Sequence, residues 1–450
     1  AARTGARRPG KTVQIVDALA SLKHRHPFST FRYTAGMSSK ELRVSHRARQ
    51  RVSQASPDVE ALVSASLGLA RAGSRTEGMF WEGRLAQVLD RLLDGAHPSA
   101  VGTALDQLSQ QDGTAYGALV EAIEHAAETV PVQPSALRGQ TADDRPAAPL
   151  HALLVTAPVV AWTRFSIPTR AIAAPVMAEL LRLWHELVLA PDVRFQLMPW
   201  LYSLDQLPHD FAELRKLTRR MAVSTANGSQ GRVDLKSMPE TAEMLADTRF
   251  LLGCVVVPDV NHPVFRWQLS GAAHRSREDC MKAWVEATRP LFEPMLPGCG
   301  FESLLPDAYH ANLRESDRLV RIWGIKAAVH YLVHSLGVEA ASIKASVAGF
   351  GYTRVDEYRI GLSLGETGDV VQGIVWPLLG PESENDEPTP LEQIRSTLQE
   401  VGVSDLRVWN ALMEPEFCED CGSPFYPDRS GELVHVQMPE GAETTSPHFH

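Results

Sequence analysis

A chain of 450 residues exceeds what one hydrophobic core ordinarily holds, so more than one structural unit is expected. Its 44% hydrophobic and 22% charged content exclude a disordered chain, and no apolar run reaches the roughly 18 residues of a bilayer-spanning helix, so no membrane partner is expected. The formal net charge of −10 argues against nucleic acid as a partner, because phosphate affinity comes from Lys and Arg displacing counterions.

The charge is uneven. Residues 1–36 carry Arg3, Arg7, Arg8, Lys11, Lys23, Arg25 and Arg32 against a single acid, Asp17. The apolar stretch Thr12–Leu22 is short and broken by Asp17, a poor signal segment. Residues 1–55 therefore read as a basic, disordered leader, with Met37 as a natural start and a transit peptide as the alternative.

Residues 56–130 read as a helical domain. Ser56 followed by Pro57 is a helix start, and Val59, Leu62, Val63, Leu67 and Ala70 recur at helical spacing. Ser74 and Glu77 form a capping-box pattern ahead of a second amphipathic run, and two more such runs follow. Residues 131–149 hold four prolines and no periodicity, and read as a linker.

Residues 150–335 repeat an order of motifs. Leu153–Val160, Leu180–Glu186 around Trp184, and Leu197–Tyr202 are followed by Leu251–Val257, Cys280–Glu286 around Trp284, and Leu304–Tyr309. The offsets of 98, 100 and 107 residues grow only across loops. This pattern predicts duplicated strand–helix–strand–helix modules, with the continuous apolar strands buried between helices. Two such modules are expected to meet across a pseudo-twofold cleft. Asp205, His209 and Asp210 in the first module match Asn312, Ser316 and Asp317 in the second. Helix capping explains Asp210 and Asp317 more simply than acid–base chemistry.

From residue 336 to 413 the pattern turns to alternation. Ser346–Phe350, Tyr358–Leu364 and Val370–Trp376 read as an antiparallel meander, with Glu366–Asp369 as a turn. An acidic loop over Pro381–Pro388, a helix over Pro390–Val401 and a strand over Leu406–Leu412 complete this module. The expected architecture is thus α/β (α+β).

Residues 414–450 carry the strongest chemical signal. Phe417-Cys418-Glu-Asp-Cys421-Gly422 has the spacing of a zinc knuckle, in which a tight turn permitted by Gly422 aims two thiolates at one ion. Gly422-Ser-Pro424 cannot readily open a helix, which ranks metal above thiol redox chemistry. Two more ligands are needed for a tetrahedral site. His435, His448 and His450 lie downstream, and His448 and His450 are chosen as the completing pair of a structural Zn2+ site; a four-cysteine site shared by a homodimer is the alternative. His330 and His334 stand one helical turn apart, but Tyr331 occupies the position where a metalloprotease has Glu, so a structural role is assigned. Cys254, Cys280 and Cys299 lie in apolar segments and read as reduced thiols, which suits the cytoplasm.

The string Pro415–Pro424, continued by Gly431–Glu440 and His448–His450, resembles the ending of an uncharacterised bacterial family, domain of unknown function 2863. The opening Leu62–Glu82 is similar to that family too. The resemblance covers about residues 56–450 and implies a bacterial cytosolic protein with no assigned activity. No catalytic constellation emerges. The expectation is a non-catalytic, zinc-stabilised binding or regulatory protein whose partner is an unknown protein or small molecule. The rival is an enzyme acting on a small molecule in the cleft between the duplicated modules.

Overall fold

Helix starts fall where short polar side chains meet free backbone N–H groups. In the computed structural model the Ser56 hydroxyl accepts from Val59 N–H at the head of α1 (Pro57–Ala70), and Ser74 accepts from Glu77 N–H at the head of α2 (Arg75–Asp94). The Glu77 carboxylate reaches back to Gly73 N–H, one residue short of a reciprocal capping box. The structure describes residues 56–437 except 96–98, 134–148, 230–232, 234–237, 366–367, 381 and 383–386. The leader 1–55, most of the 131–149 linker and the residues after 437 lie outside the described residues.

Helices α3 (Ser99–Gln111) and α4 (Gly113–Glu128) join α1 and α2 in a helical layer around Leu62, Leu85, Leu89, Leu108, Leu119 and Ile123. The chain does not pass directly from α4 into a linker. Thr129–Val132 forms β1, which pairs antiparallel with the start of β2 (Leu150–Trp162).

Next come β3 (Arg170–Ala171), α5 (Ala174–Leu183), β4 (Arg194–Ser203), α6 (Phe211–Ala226), β5 (Ala246–Val257), α7 (Arg277–Phe292), β6 (Gly300–Ser303) and β7 (Asp307–Ala308). The strands form one seven-stranded sheet ordered β1-β2-β5-β4-β3, with β6 and β7 also on β2. In place of a cleft between the two runs, β2 and β5 form an antiparallel ladder along their length, from His151 opposite Val257 to Trp162 opposite Ala246. Each run lends its second strand to the other's first: β4 pairs with β5, and β6 and β7 pair with β2. Both second strands are interrupted, one between Leu197 and Leu201 around Pro199, the other between Ser303 and Asp307 around Pro306. Proline cannot donate to a ladder, so each break falls where its ring removes the N–H.

Helices cover both faces, which is why Leu153–Val160 of β2 and Leu251–Val257 of β5 read as near-continuous apolar runs. One face buries Trp184, in a π-helical turn after α5, against Trp284 of α7, their ring centroids 5.7 Å apart. The other face packs Met198, Tyr202, Phe250 and Leu252 against Leu214 and Met221 of α6 and Tyr309 of α8 (Tyr309–Leu336). Helix α8 is 28 residues long and starts at Tyr309, so Asp317 lies inside it and is not a cap. Asp210 does cap α6, accepting from Ala212 and Glu213 N–H.

The second sheet has the order β10 (Val370–Pro377), β9 (Glu357–Leu364), β8 (Ile343–Phe350), β11 (Asp405–Met413). Strands β8, β9 and β10 form the antiparallel meander. Helix α9 (Pro390–Glu400) crosses over to β11, which runs parallel to β8. On one face Ile343, Ala345, Val347, Ile360 and Leu362 pack against α8 and α9. The alternate residues of the same strands point to the opposite face, and the C-terminal segment lies there. The chain is therefore a mixed α+β protein. Among the described residues no helix is long and apolar enough to cross a membrane.

Candidate metal centre

After β11 the chain folds into a narrow hairpin. Phe417 bridges Pro424, Cys418 N–H donates to Ser423 O (2.8 Å), and Gly422 N–H donates to Cys418 O (2.9 Å). Gly422 has φ of +75°, a left-handed conformation that a side chain would oppose. The turn thereby places Cys418 and Cys421 side by side.

The strand pair β12 (Tyr426–Pro427) and β13 (Leu433–Val434) then brings the chain back. Asp428 shapes the return, its carboxylate accepting the N–H groups of Ser430, Gly431 and Glu432. His435 arrives with Nε2 at 3.1 Å from Cys421 Sγ. Its Nδ1–H donates to Val436 O (2.7 Å), which turns Nε2 toward the sulfur. The ligand atoms of Cys418, Cys421 and His435 all lie within 4.8 Å of one another. The Ser423 hydroxyl, and after it the His435 ring, stabilise the Cys421 thiolate and bring its pKa down to about 6. The same contact raises His435.

This set can bind a metal ion. Two thiolates and an imidazole are donors suited to zinc and other borderline or soft cations. Of the residues expected at the site, Cys418 and Cys421 are together. His448 and His450 lie outside the described residues. The third donor in place is His435, not one of the terminal pair expected from sequence. Its signal was available: His435 follows Cys421 by 14 residues, within the spacing at which a Cys pair commonly meets its first His.

The sheet beneath the hairpin is shaped to receive it. Gly361 and Gly373 face each other across β9 and β10. A Cβ on Gly373 would lie 2.2 Å from the Tyr426 ring, and one on Gly361 would lie 2.4 Å from Pro427 O. Two paired glycines thus leave a notch that the ring and backbone of β12 fill. Glycine inside a strand often marks such a close approach, so this pair is a signal the sequence itself carries.

The other candidate groups are dispersed. Asp205 accepts from Ala242 N–H, His209 is exposed, and His330 and His334 are exposed on α8. A second titratable cluster ties α4 to α8. Glu128 accepts both the backbone N–H (2.9 Å) and Nδ1–H (3.0 Å) of His310, and Glu124 pairs with Arg314. Burial works against charge on His310, yet the carboxylates of Glu124 and Glu128 outweigh it and raise its pKa. Burial likewise opposes the Glu128 carboxylate, but the hydrogen bond and charge of His310 lower its pKa.

The family model described as protein of unknown function (DUF2863) matches residues 47–449. No curated protein and no solved structure matches the chain.

Proposed function

The chain belongs to the DUF2863 family of proteins of unknown function, and on that footing we propose that it is a cytoplasmic, zinc-binding, non-catalytic binding or regulatory protein. The observation that carries the reading is the convergence of Cys418, Cys421 and His435 on one point. Zinc is favoured by the donor set, since Cys and His donors in tetrahedral array are its commonest structural ligands. His448 or His450 completes the tetrahedron. The ion is structural in a local sense: it links the cysteine turn to the returning strand.

Other features support the wider reading. Cys254 and Cys280 are buried free thiols, in keeping with a reducing compartment. The exchange of second strands between the two runs supports an internal duplication as the frame of the central sheet. The partner is an unidentified protein or small molecule; the acidic balance disfavours nucleic acid.

Metal analysis of protein purified without chelator tests the reading. One zinc per chain is expected, lost in Cys418→Ser and weakened in His435→Ala. The double variant His448→Ala/His450→Ala should weaken binding if the tail closes the site. Zinc retained there in a dimer would assign the fourth ligand to a second chain. Absence of metal in the wild type, with both thiols freely alkylated, would sink the proposal.

A further inference from the structure

We propose that Arg359 is the positioning residue of the metal centre: it holds the cysteine hairpin in ligating geometry before metal arrives, so that the ion loads and leaves without unfolding the tail. The inference rests on the metal reading above and adds how the site is built and how it exchanges its ion.

Arg359 sits in the middle of β9, on the face turned away from α8 and α9, and is 0% exposed. A guanidinium buried this deeply is costly unless it is paired and hydrogen-bonded. Its Nε donates to Glu357 Oε1 (2.6 Å). Its Nη1 donates to two carbonyls, Glu416 O (2.8 Å) and Phe425 O (2.9 Å). Those carbonyls belong to the two arms of the hairpin, just outside the Phe417–Pro424 bridge. Glu416 O also accepts from Phe425 N–H (3.1 Å), so the arms are closed on each other and gripped by one side chain of the sheet.

The aromatic contacts extend the grip to the first ligand. The guanidinium carbon lies 4.4 Å from the Phe350 ring centroid and 4.9 Å from that of Phe417. Phe417 directly precedes Cys418, so a cation–π contact fixes the residue next to the thiolate. Lysine could not do the same, because a single compact ammonium lacks the planar fork that serves several acceptors at once.

The segment that carries His435, just after β13, is anchored separately through β12 and through Gln437. Tyr426 fills the notch over Gly373, and Gln437 N–H donates to Val370 O (2.9 Å). None of these contacts passes through the metal. In an isolated zinc-finger peptide the ion must supply the folding free energy, because no site exists without it. Here the second sheet orders both arms of the site in advance. The ion therefore adds a cross-link to a standing scaffold.

The experiment uses the full-length chain, stripped by chelator, with Co2+ as the probe. Hydrogen exchange reads the scaffold, and thiolate-to-cobalt absorption reads the site. In the metal-free wild type, the amides of Cys418, Gly422 and Phe425 are expected to be protected. Arg359→Lys should lose that protection and bind Co2+ about 10–100-fold more weakly, as loss of an outer ligand-orienting partner does. Protection in β8 to β10 should persist. If Arg359→Lys also loses protection in the sheet, the double variant Glu357→Gln/Arg359→Met decides, since it removes both buried charges together; the same weakening is expected of it. The inference is overturned if the metal-free wild type exchanges freely across residues 416–425. It is equally overturned if the folded variants bind Co2+ within twofold of wild type. A wild type that gives no thiolate-to-cobalt band would instead remove the metal reading itself.

Discussion

Truncating the two central tryptophans should give a non-additive loss of stability. Trp184 and Trp284 are each 0% exposed and meet edge to face, with centroids 5.7 Å apart and planes at 76°. Trp184 also stacks on Phe195 at 4.6 Å. Deleting a buried aromatic costs about 3–5 kcal/mol, a large part of the roughly 5–15 kcal/mol that holds a domain together. The second deletion should cost less than the first, because the partner ring it would lose has already gone; edge-to-face pairs of this kind are worth about 0.5–1.5 kcal/mol beyond burial. Among the described residues neither indole N–H has a hydrogen-bond partner. Trp→Phe at either position therefore relieves an unsatisfied buried donor, worth about 1–3 kcal/mol, and should cost far less than Trp→Ala. Urea unfolding followed by far-ultraviolet circular dichroism measures the four corners of the cycle. Additivity of the Trp184→Ala and Trp284→Ala losses to within about 0.5 kcal/mol would refute the packing of the two rings against each other.

A methyl group in the notch should dislodge the tail from the sheet. Gly373→Ala would bring Cβ to 2.2 Å from the buried Tyr426 ring, so residues 425–437 should become open to limited proteolysis while the thermal transition of the core moves little; an unchanged cleavage pattern would contradict the docking. The His310–Glu128 tie should show in the pH profile of stability. His310 is raised above its ordinary 6.5, so its contribution is complete below that pH and fades as pH climbs through the folded-state value. Glu128 is lowered from 4.5, so its part is present above that pH and fades only in stronger acid. The stability difference between wild type and His310→Gln, from thermal unfolding between pH 5 and pH 9 (about the range in which imidazole titrates), should shrink on the alkaline side. A difference independent of pH would show that the pair carries no linked proton.

What local chemistry dictates was legible in the residue order. Ser56 and Ser74 cap helices because a hydroxyl reaches a backbone N–H three residues on. Alternation along Tyr358–Leu364 makes a two-faced strand, and the near-continuous apolar run in β2 makes one buried on both faces. Cys418, Cys421 and Gly422 announce a tight turn able to offer two thiolates to one metal ion within five residues. What had to await the tertiary structure is every choice of partner across long stretches of chain. The sequence shows two similar runs, yet nothing in either says that β4 adds to β5 while β6 adds to β2; backbone ladders are chemically uniform, and only the packing of both faces selects the pairing. Asp317 read as a cap because a polar residue before an apolar run looks alike at a helix start and inside a long helix. His435 and His448 offer the same imidazole, and His435 reaches Cys421 because Asp428 turns the chain back. Arg359 stands 57 and 66 residues from the carbonyls it grips. Propensity and periodicity act over about one turn of helix or a few strand residues. Ligation, ion pairing and close approach act through space, and their partners are settled only when the two sheets and their helices have packed.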